Sequence, residues 1–520
     1  MKTILTALAT VGLSLFAITG ASAQSVTLEG TPDGVEAHYR GQVASPFVFA
    51  DPGIDRSDWD LSGLQRNQTG ASDAVGFILA LRPDSTEAGR GYIALARVGE
   101  GYVVYGPALA GADATLSLAA GGPASWTAWP STGADGYVYF GPTGYIQPRP
   151  GRTEIAAPDM PSKLRHTVFT AFADALAFYE GRFGPLPQSP TLVVTMQGAG
   201  PSTIRADVTD TGVISARLNG EAWRNPSEAA LSEIDTVTFH ETAHLWNSHF
   251  ARPAEGSPWL HEGGAQYLAL VAAVSTGHLT EAAARESLGS NLTDCRNRLG
   301  TRDNVSNRMV AGSAVYDCGV LVQWLADMEL RQASSGAQGI VDRWAAMIDA
   351  ARNGQALYNP QNFRSGLNED SAVTLLFDGP AELRWKLIEA RLIDLGVAWI
   401  NRPSDEDYLA ATLSRLNMEN CAPGSSTGFY VRDGFIQMDN ASTCGALSDD
   451  LEIGTVEGFD PLTESHAMFE AVQSQCAARG MVHVVRRNTT QVLSATCNTA
   501  LAEPIAYALT QSPAISVHVR

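Results

Sequence analysis

The sequence predicts a multidomain α+β protein, and three observations carry that expectation. Short β-branched and aromatic segments broken by Gly, Pro and Asp fill residues 25–144. A mostly helical stretch runs from Ser227 to about Gly396. A mixed strand and helix pattern follows residue 425. A length of 520 residues leaves room for about three domains at ~150 residues each. Hydrophobic residues are 45% of the chain and charged residues 17%, enough for packed cores and unlike a disordered composition.

Residues 1–23 read as a signal peptide. Lys2 gives a basic start, Ile4 to Ile18 an apolar stretch, and Ala21-Ser22-Ala23 a small-residue cleavage site before Gln24. No later segment approaches the ~20 apolar residues needed to span a bilayer. The expected location is therefore periplasmic or secreted. Residues 24–150 read as an all-β domain, with strands at Val35–Val43, Val75–Leu81, Tyr92–Val98 and Tyr102–Tyr105.

The pattern changes near Pro161 and defines a second domain, residues 151–400. Leu164, Val168, Phe172, Leu176, Tyr179 and Phe183 recur at helical spacing, and Gly184-Pro185 ends the run. Thr191–Met196 and Gly212–Leu218 read as strands, and helices follow, with Thr280 before Glu281 as one capping signal. A polar linker, roughly Asn401–Gly428, leads to a third domain, residues 425–520. Strands at Phe429–Met438, Leu451–Val456 and Met481–Arg487 surround a helix at Glu464–Ala478 there.

The formal net charge of −20 repels nucleic acid and anionic lipid, so neither is an expected partner. Six cysteines, all at or beyond Cys295, suit an oxidising compartment. The natural local pairs are Cys295–Cys318, Cys421–Cys444 and Cys476–Cys497, among several connectivities that the sequence permits.

The chemistry concentrates in His240-Glu241-Thr242-Ala243-His244. Histidines four apart share one helix face, so both imidazoles can reach one ion. Glu241 stands beside them, where a carboxylate can take a proton from metal-bound water. Glu262 follows 18 positions after His244, in Trp259-Leu260-His261-Glu262-Gly263-Gly264-Ala265-Gln266-Tyr267. Two histidines and one carboxylate leave a zinc position open, as a catalytic site requires. The alternative third ligand, a histidine six residues after His244, is replaced by Phe250. His249 and His261 read as surface or supporting residues.

The run from His240 through Trp246-Asn247 to Glu262 resembles the gluzincin zinc metallopeptidases. His-Leu-Trp-Asn with Arg252-Pro253 is similar to the glycyl-aminopeptidase family, which joins a thermolysin-like domain to a PDZ domain. Trp-Leu-His-Glu-Gly-Gly-Ala is similar to the aminopeptidase N family, as is Val315-Tyr316-Asp317-Cys318-Gly319. The resemblance implies a mainly helical thermolysin-like catalytic domain with one zinc ion per chain. It gives Glu241 the role of general base and Tyr316 that of oxyanion stabiliser. The family lysine is Cys318 here, which a bridge to Cys295 would pin. Both families bind the substrate amine through a glutamate motif, and Gly198-Ala199-Gly200-Pro201 carries none. Asp207 or Asp210 is the candidate substitute.

Leu451–Gly458, the Glu464–Ala478 helix and Met481–Arg487 resemble a PDZ fold, whose carboxylate loop would fall near Gly424–Gly428. The expected function is hydrolysis of peptide bonds in peptide or protein substrates. The position of cleavage, at an N-terminus or internally, is left open by the sequence. The competing reading is a non-catalytic zinc-bearing scaffold whose last domain binds peptides.

Overall fold

The computed structural model describes residues 25–31, 34–40, 65–66, 77–81, 95–109, 115–120, 124–131, 135–198, 202–248, 257–300, 309, 314–354, 358–365, 367, 371–422, 427–432, 434–440, 442–448, 451–498 and 501–517. The expected signal peptide, His249, Phe250 and Arg252-Pro253 lie outside them. Two compact units divide the chain, residues 1–250 and 251–520.

The first unit begins with strands. They are β1 (Ser25–Thr31), β2 (Gly34–Arg40), β3 (Gln65–Arg66), β4 (Phe77–Leu81), β5 (Leu95–Val98) and β6 (Gly101–Tyr105). A four-residue turn of helix, α1 (Gly106–Leu109), precedes β7 (Thr115–Ala120), β8 (Trp126–Trp129) and β9 (Tyr137–Pro142). Two sheets result, ordered β3-β4-β2-β1-β7 and β5-β6-β9-β8. The described elements from β1 to β9 are strands apart from α1.

Then come β10 (Ile146–Arg149), β11 (Arg152–Ala156), α2 (Ser162–Phe183), β12 (Thr191–Gln197), β13 (Thr203–Val208), β14 (Val213–Asn219) and α3 (Glu228–Asn247). The third sheet runs β10-β11-β12-β14-β13. Its three central strands are parallel, and each outer strand is antiparallel to its neighbour. Helix α2 is the crossover from β11 to β12, as a parallel pair demands. Gly184, at φ 80°, ends α2 in a conformation that glycine adopts without strain. Ile155, Val193 and Val213 of this sheet share one buried cluster with Val98, Val103, Tyr137 and Tyr139, so the two β regions are fused through a common core.

The second unit opens with helices α4 (Pro258–Thr276), α5 (Glu281–Leu299), α6 (Ala314–Ala333), α7 (Ile340–Arg352), α8 (Pro360–Arg364), α9 (Ala372–Asp378) and α10 (Arg384–Asp394). Pro258 starts α4, where a missing N–H costs nothing, and Gly277 in the left-handed region ends it. The Thr280 hydroxyl accepts from the Ala283 N–H and caps α5, as its sequence signal indicated. Helices α4 and α6 cross at two glycines: a Cβ added to Gly263 would stand 2.3 Å from Gly319 Cα. Cys295–Cys318 ties α5 to α6.

The remaining elements are β15 (Ala398–Asn401), α11 (Asp405–Asn420), β16 (Phe429–Arg432), β17 (Phe435–Met438), β18 (Glu452–Val456), α12 (Ser465–Arg479), β19 (Met481–Arg486), β20 (Val492–Thr496) and β21 (Tyr507–Gln511). The sheet β16-β17-β18-β19-β20 is antiparallel throughout. It packs with α11 and α12 around Leu413, Leu416, Ile436, Ile453, Phe469, Val472, Val482 and Val484. Cys421–Cys444 and Cys476–Cys497 close this lobe, so all three cysteine pairs are the local ones.

Two sequence expectations are corrected here. The polar linker at Asn401–Gly428 is largely α11, whose Ser404 and Asp407 form a capping box and whose Leu409, Leu413 and Leu416 are buried. The single strand at Phe429–Met438 is a hairpin, β16 and β17, turning at Gly434 with φ 77°. The lobe hangs from a two-stranded ribbon, because β15 pairs with β21. Beyond β21 the chain runs along the helices, where Ile515 and Ser516 N–H groups donate to the Glu281 carboxylate and Val517 N–H to the Ser275 hydroxyl. No helix among the described residues is long and apolar enough to cross a membrane.

Candidate metal centre

Helix α3 carries the first half of the site. The Ser227 hydroxyl caps it by accepting from the Ala230 N–H. Its inner face is buried along Leu231, Ile234, Thr238 and Leu245. Thr238 and Thr242 return their hydroxyls to the Ile234 and Thr238 carbonyls, so neither leaves an unpaired group in the interior. Two residues anchor the helix to α2 and its end. Tyr179 donates to the Phe239 carbonyl at 3.2 Å, and the Trp246 indole to the Gly184 carbonyl at 2.9 Å.

On this fixed helix, His240, Glu241 and His244 are 6%, 8% and 4% exposed. The two Nε2 atoms stand 3.0 Å apart with the rings nearly perpendicular. The Asn247 side-chain oxygen lies 2.8 Å from His244 Nδ1. That oxygen accepts, so the proton of His244 belongs on Nδ1 and its Nε2 lone pair is left for a ligand. In the sequence Asn247 stands out only as part of the run that resembles the gluzincins. Its signal was present, since a residue three after a histidine on a helix can reach the ring from the next turn.

Helix α4 carries Glu262, whose side chain is 24% exposed. His261 Nε2 lies 3.7 Å from its carboxylate, and His261 Nδ1 lies 3.1 Å from the Tyr358 hydroxyl. Burial, with the Glu262 charge adding to it, holds the Tyr358 phenol well above its ordinary range, so it stays protonated and can donate. Tyr358 was missed by sequence reasoning: it is 97 positions from His261 and belongs to no motif. The two glycines after Glu262 have a packing cause. Gly263 meets the backbone of Gly319, and Gly264 meets the Trp344 ring.

Helix α6 carries Tyr316 in its first turn, 43% exposed. Next to it, Asp317 pairs with Arg298 at 2.6 Å, and Cys318 is bridged to Cys295. Burial, with the Asp317 charge second, pushes Asp294 on α5 up to about 6. Asp207, the candidate amine anchor, is committed elsewhere. It pairs with the buried Arg217 at 2.7 Å and accepts from the Tyr137 hydroxyl. Asp210 is exposed in the turn between β13 and β14.

No protein-family model matches the chain, and no curated protein matches it in sequence. A solved structure does: an aminopeptidase N family protein from Idiomarina loihiensis, at TM-score 0.61 and 12% identity, covering 93% of this chain and 98% of that one. The chain shares that protein's fold. Lower likenesses include an M1 zinc metallopeptidase from Deinococcus radiodurans (TM-score 0.40, 16% identity, covering 69% of this chain and 94% of that one). Yeast LTA4 hydrolase follows at TM-score 0.37 and 11% identity, covering 76% of this chain and 72% of that one. The shared fold agrees with the gluzincin resemblance read from His240 to Glu262.

Proposed function

We propose that the protein is a zinc metallopeptidase in which His240, His244 and Glu262 hold the metal. The observation that carries the reading is the pair of buried imidazoles on α3, whose Nε2 atoms stand 3.0 Å apart on one face, with Glu262 supplied by α4. Two imidazoles with a single carboxylate form a donor set of catalytic rather than structural zinc. The His244 tautomer favoured by Asn247 presents a lone pair for such an ion. Zinc bound there would acidify a water molecule and polarise a carbonyl oxygen.

The rest of the chemistry belongs to the protein. Glu241, buried beside the histidines, accepts a proton from the attacking water and returns it to the leaving amine. Tyr316 presents a solvent-facing phenol as a donor to the oxygen on which charge develops. Asp207 is assigned to holding Arg217, because releasing it would leave a guanidinium that is 5% exposed without its counter-charge. Asp207 is thereby unavailable to a substrate amine, which leaves exposed Asp210 as the sequence candidate for that role.

Glu241→Gln tests the reading. Zinc content, read by elemental analysis, should be unchanged, while turnover of a quenched peptide library falls by roughly 10²–10⁴. Cleavage of peptides with free and with blocked N-termini by the wild-type protein reads whether an N-terminus is required, and Asp210→Asn reads whether that carboxylate holds it. Full activity of Glu241→Gln would refute the role given to Glu241.

A further inference from the structure

A further feature lies in the first unit, beside the first turns of α2. A cavity of about 670 Å³ opens between the outer strands β10 and β11 and the first turns of α2. Among the residues that line it are three arginines, Arg149, Arg152 and Arg165, and one carboxylate, Glu154. Such a wall is unusual in a chain with 35 cationic and 55 acidic residues. Glu154 is 4% exposed, and its oxygens already serve Arg149 at 3.2 Å and Arg152 at 2.9 Å. One carboxylate thus faces two guanidinium groups, while Arg165 donates to the Ala157 carbonyl. Three positive charges against one negative leave the wall with a surplus of two.

One further feature has the same sign. Ser162, the first residue of α2, lines the cavity, and Pro161 before it offers no side-chain cap, so the positive end of a 22-residue helix faces this region. His166 also lines the cavity, one turn on. Phe169 and Met160 give part of the lining an apolar wall. Guanidinium forks match tetrahedral oxyanions, and an apolar wall beside them suits a carbon-bearing ester.

We propose that this cavity binds a phosphate group carrying two negative charges, in the form of an organic phosphate ester whose carbon part rests on Phe169 and Met160. The site is separate from the metal centre. The cavity lies at the N-terminal turns of α2, whereas the histidine-bearing part of α3 meets the C-terminal part of α2 through Tyr179 and Trp246.

Calorimetric titration of the full chain at low ionic strength, with phenyl phosphate in one arm and inorganic phosphate in the other, tests this. Saturable binding of phenyl phosphate several-fold tighter than that of inorganic phosphate is expected. Arg165→Gln and Arg149→Gln should each weaken it at least tenfold. Arg182→Gln, a charge removed from the far end of the same helix, should leave it unchanged. Arg149 is half-exposed and leaves Glu154 its Arg152 partner, so that variant keeps the test valid if Arg165→Gln fails to fold. Equal affinity for the two ligands would overturn the apolar half of the proposal. Absence of saturable binding, or an equal loss in Arg182→Gln, would overturn the whole.

Discussion

Replacing Gly263 by alanine sets two physical effects against each other with opposite signs. Alanine is the better helix former by about 1 kcal/mol, so propensity alone predicts a more stable protein. Packing predicts the reverse. The new Cβ would lie 2.3 Å from Gly319 Cα, 2.4 Å from its carbonyl carbon and 2.9 Å from Val320 N. These are backbone atoms of another helix, which cannot swing aside as a side-chain tip would. Overpacking of this kind costs about 1–3 kcal/mol, and a rigid backbone puts the case at the upper end. The net effect is destabilisation by about 1–2 kcal/mol, or roughly 2–8 °C in Tm for a unit of this size. Gly181 in α2 is the matched control: nothing lies within 4 Å of its added Cβ, so Gly181→Ala should gain a few tenths to 1 kcal/mol. Thermal denaturation followed by circular dichroism reads both. An unchanged or higher Tm for Gly263→Ala, alongside the gain at Gly181, would refute the close crossing of α4 and α6. Because Glu262 precedes Gly263 on α4, the same variant should also lose zinc more readily to a chelator.

Three other substitutions probe separate links. Asn247→Ala should lower zinc affinity by about 10–100-fold, read by chelator competition, because His244 loses the group that fixes its tautomer. Tyr316→Phe should keep its zinc and its Tm while kcat falls by roughly 10²–10³; an unaltered kcat would remove the phenol from the mechanism. Asp294 has a folded pKa raised from 3.8 to about 6, so the folded state holds its proton more tightly than the unfolded chain. Stability from this residue is therefore complete below its unfolded pKa and declines as pH rises through that window. Asp294→Asn should raise Tm at neutral pH and abolish that decline; a wild-type-like pH profile would contradict it.

The elements that positioned the site were legible where a period or a cap marked them. Apolar spacing marked α2, Thr280 marked the start of α5, and the four-residue interval between His240 and His244 put both rings on one face. The interaction of Asp207 with Arg217 was not legible, for a definable reason. Asp207 lies opposite Ser215 in the β13–β14 register, which puts Arg217 diagonally across on the same face. Only the register reveals that neighbour. Helix α11 was obscured by the acids and asparagines at its ends, although Leu409, Leu413 and Leu416 already stood at helical spacing. Tyr358 reaches His261 through the packing of Trp344 against its ring at 5.2 Å, a contact with no trace in local sequence.

The return of the chain from β21 onward bears on how the second unit assembles. Tyr507 N–H donates to Thr293 on α5, and Ile515 N–H meets Glu281 across a separation of 234 residues. A ribosome releases those closing segments only after the entire disulfide-bonded lobe between β15 and β21 has been made. Until then the surfaces of α4 and α5 that they cover stand open to water. Completion of the helical bundle must wait for residues 507–517, so this unit cannot mature progressively from its N-terminal side during synthesis.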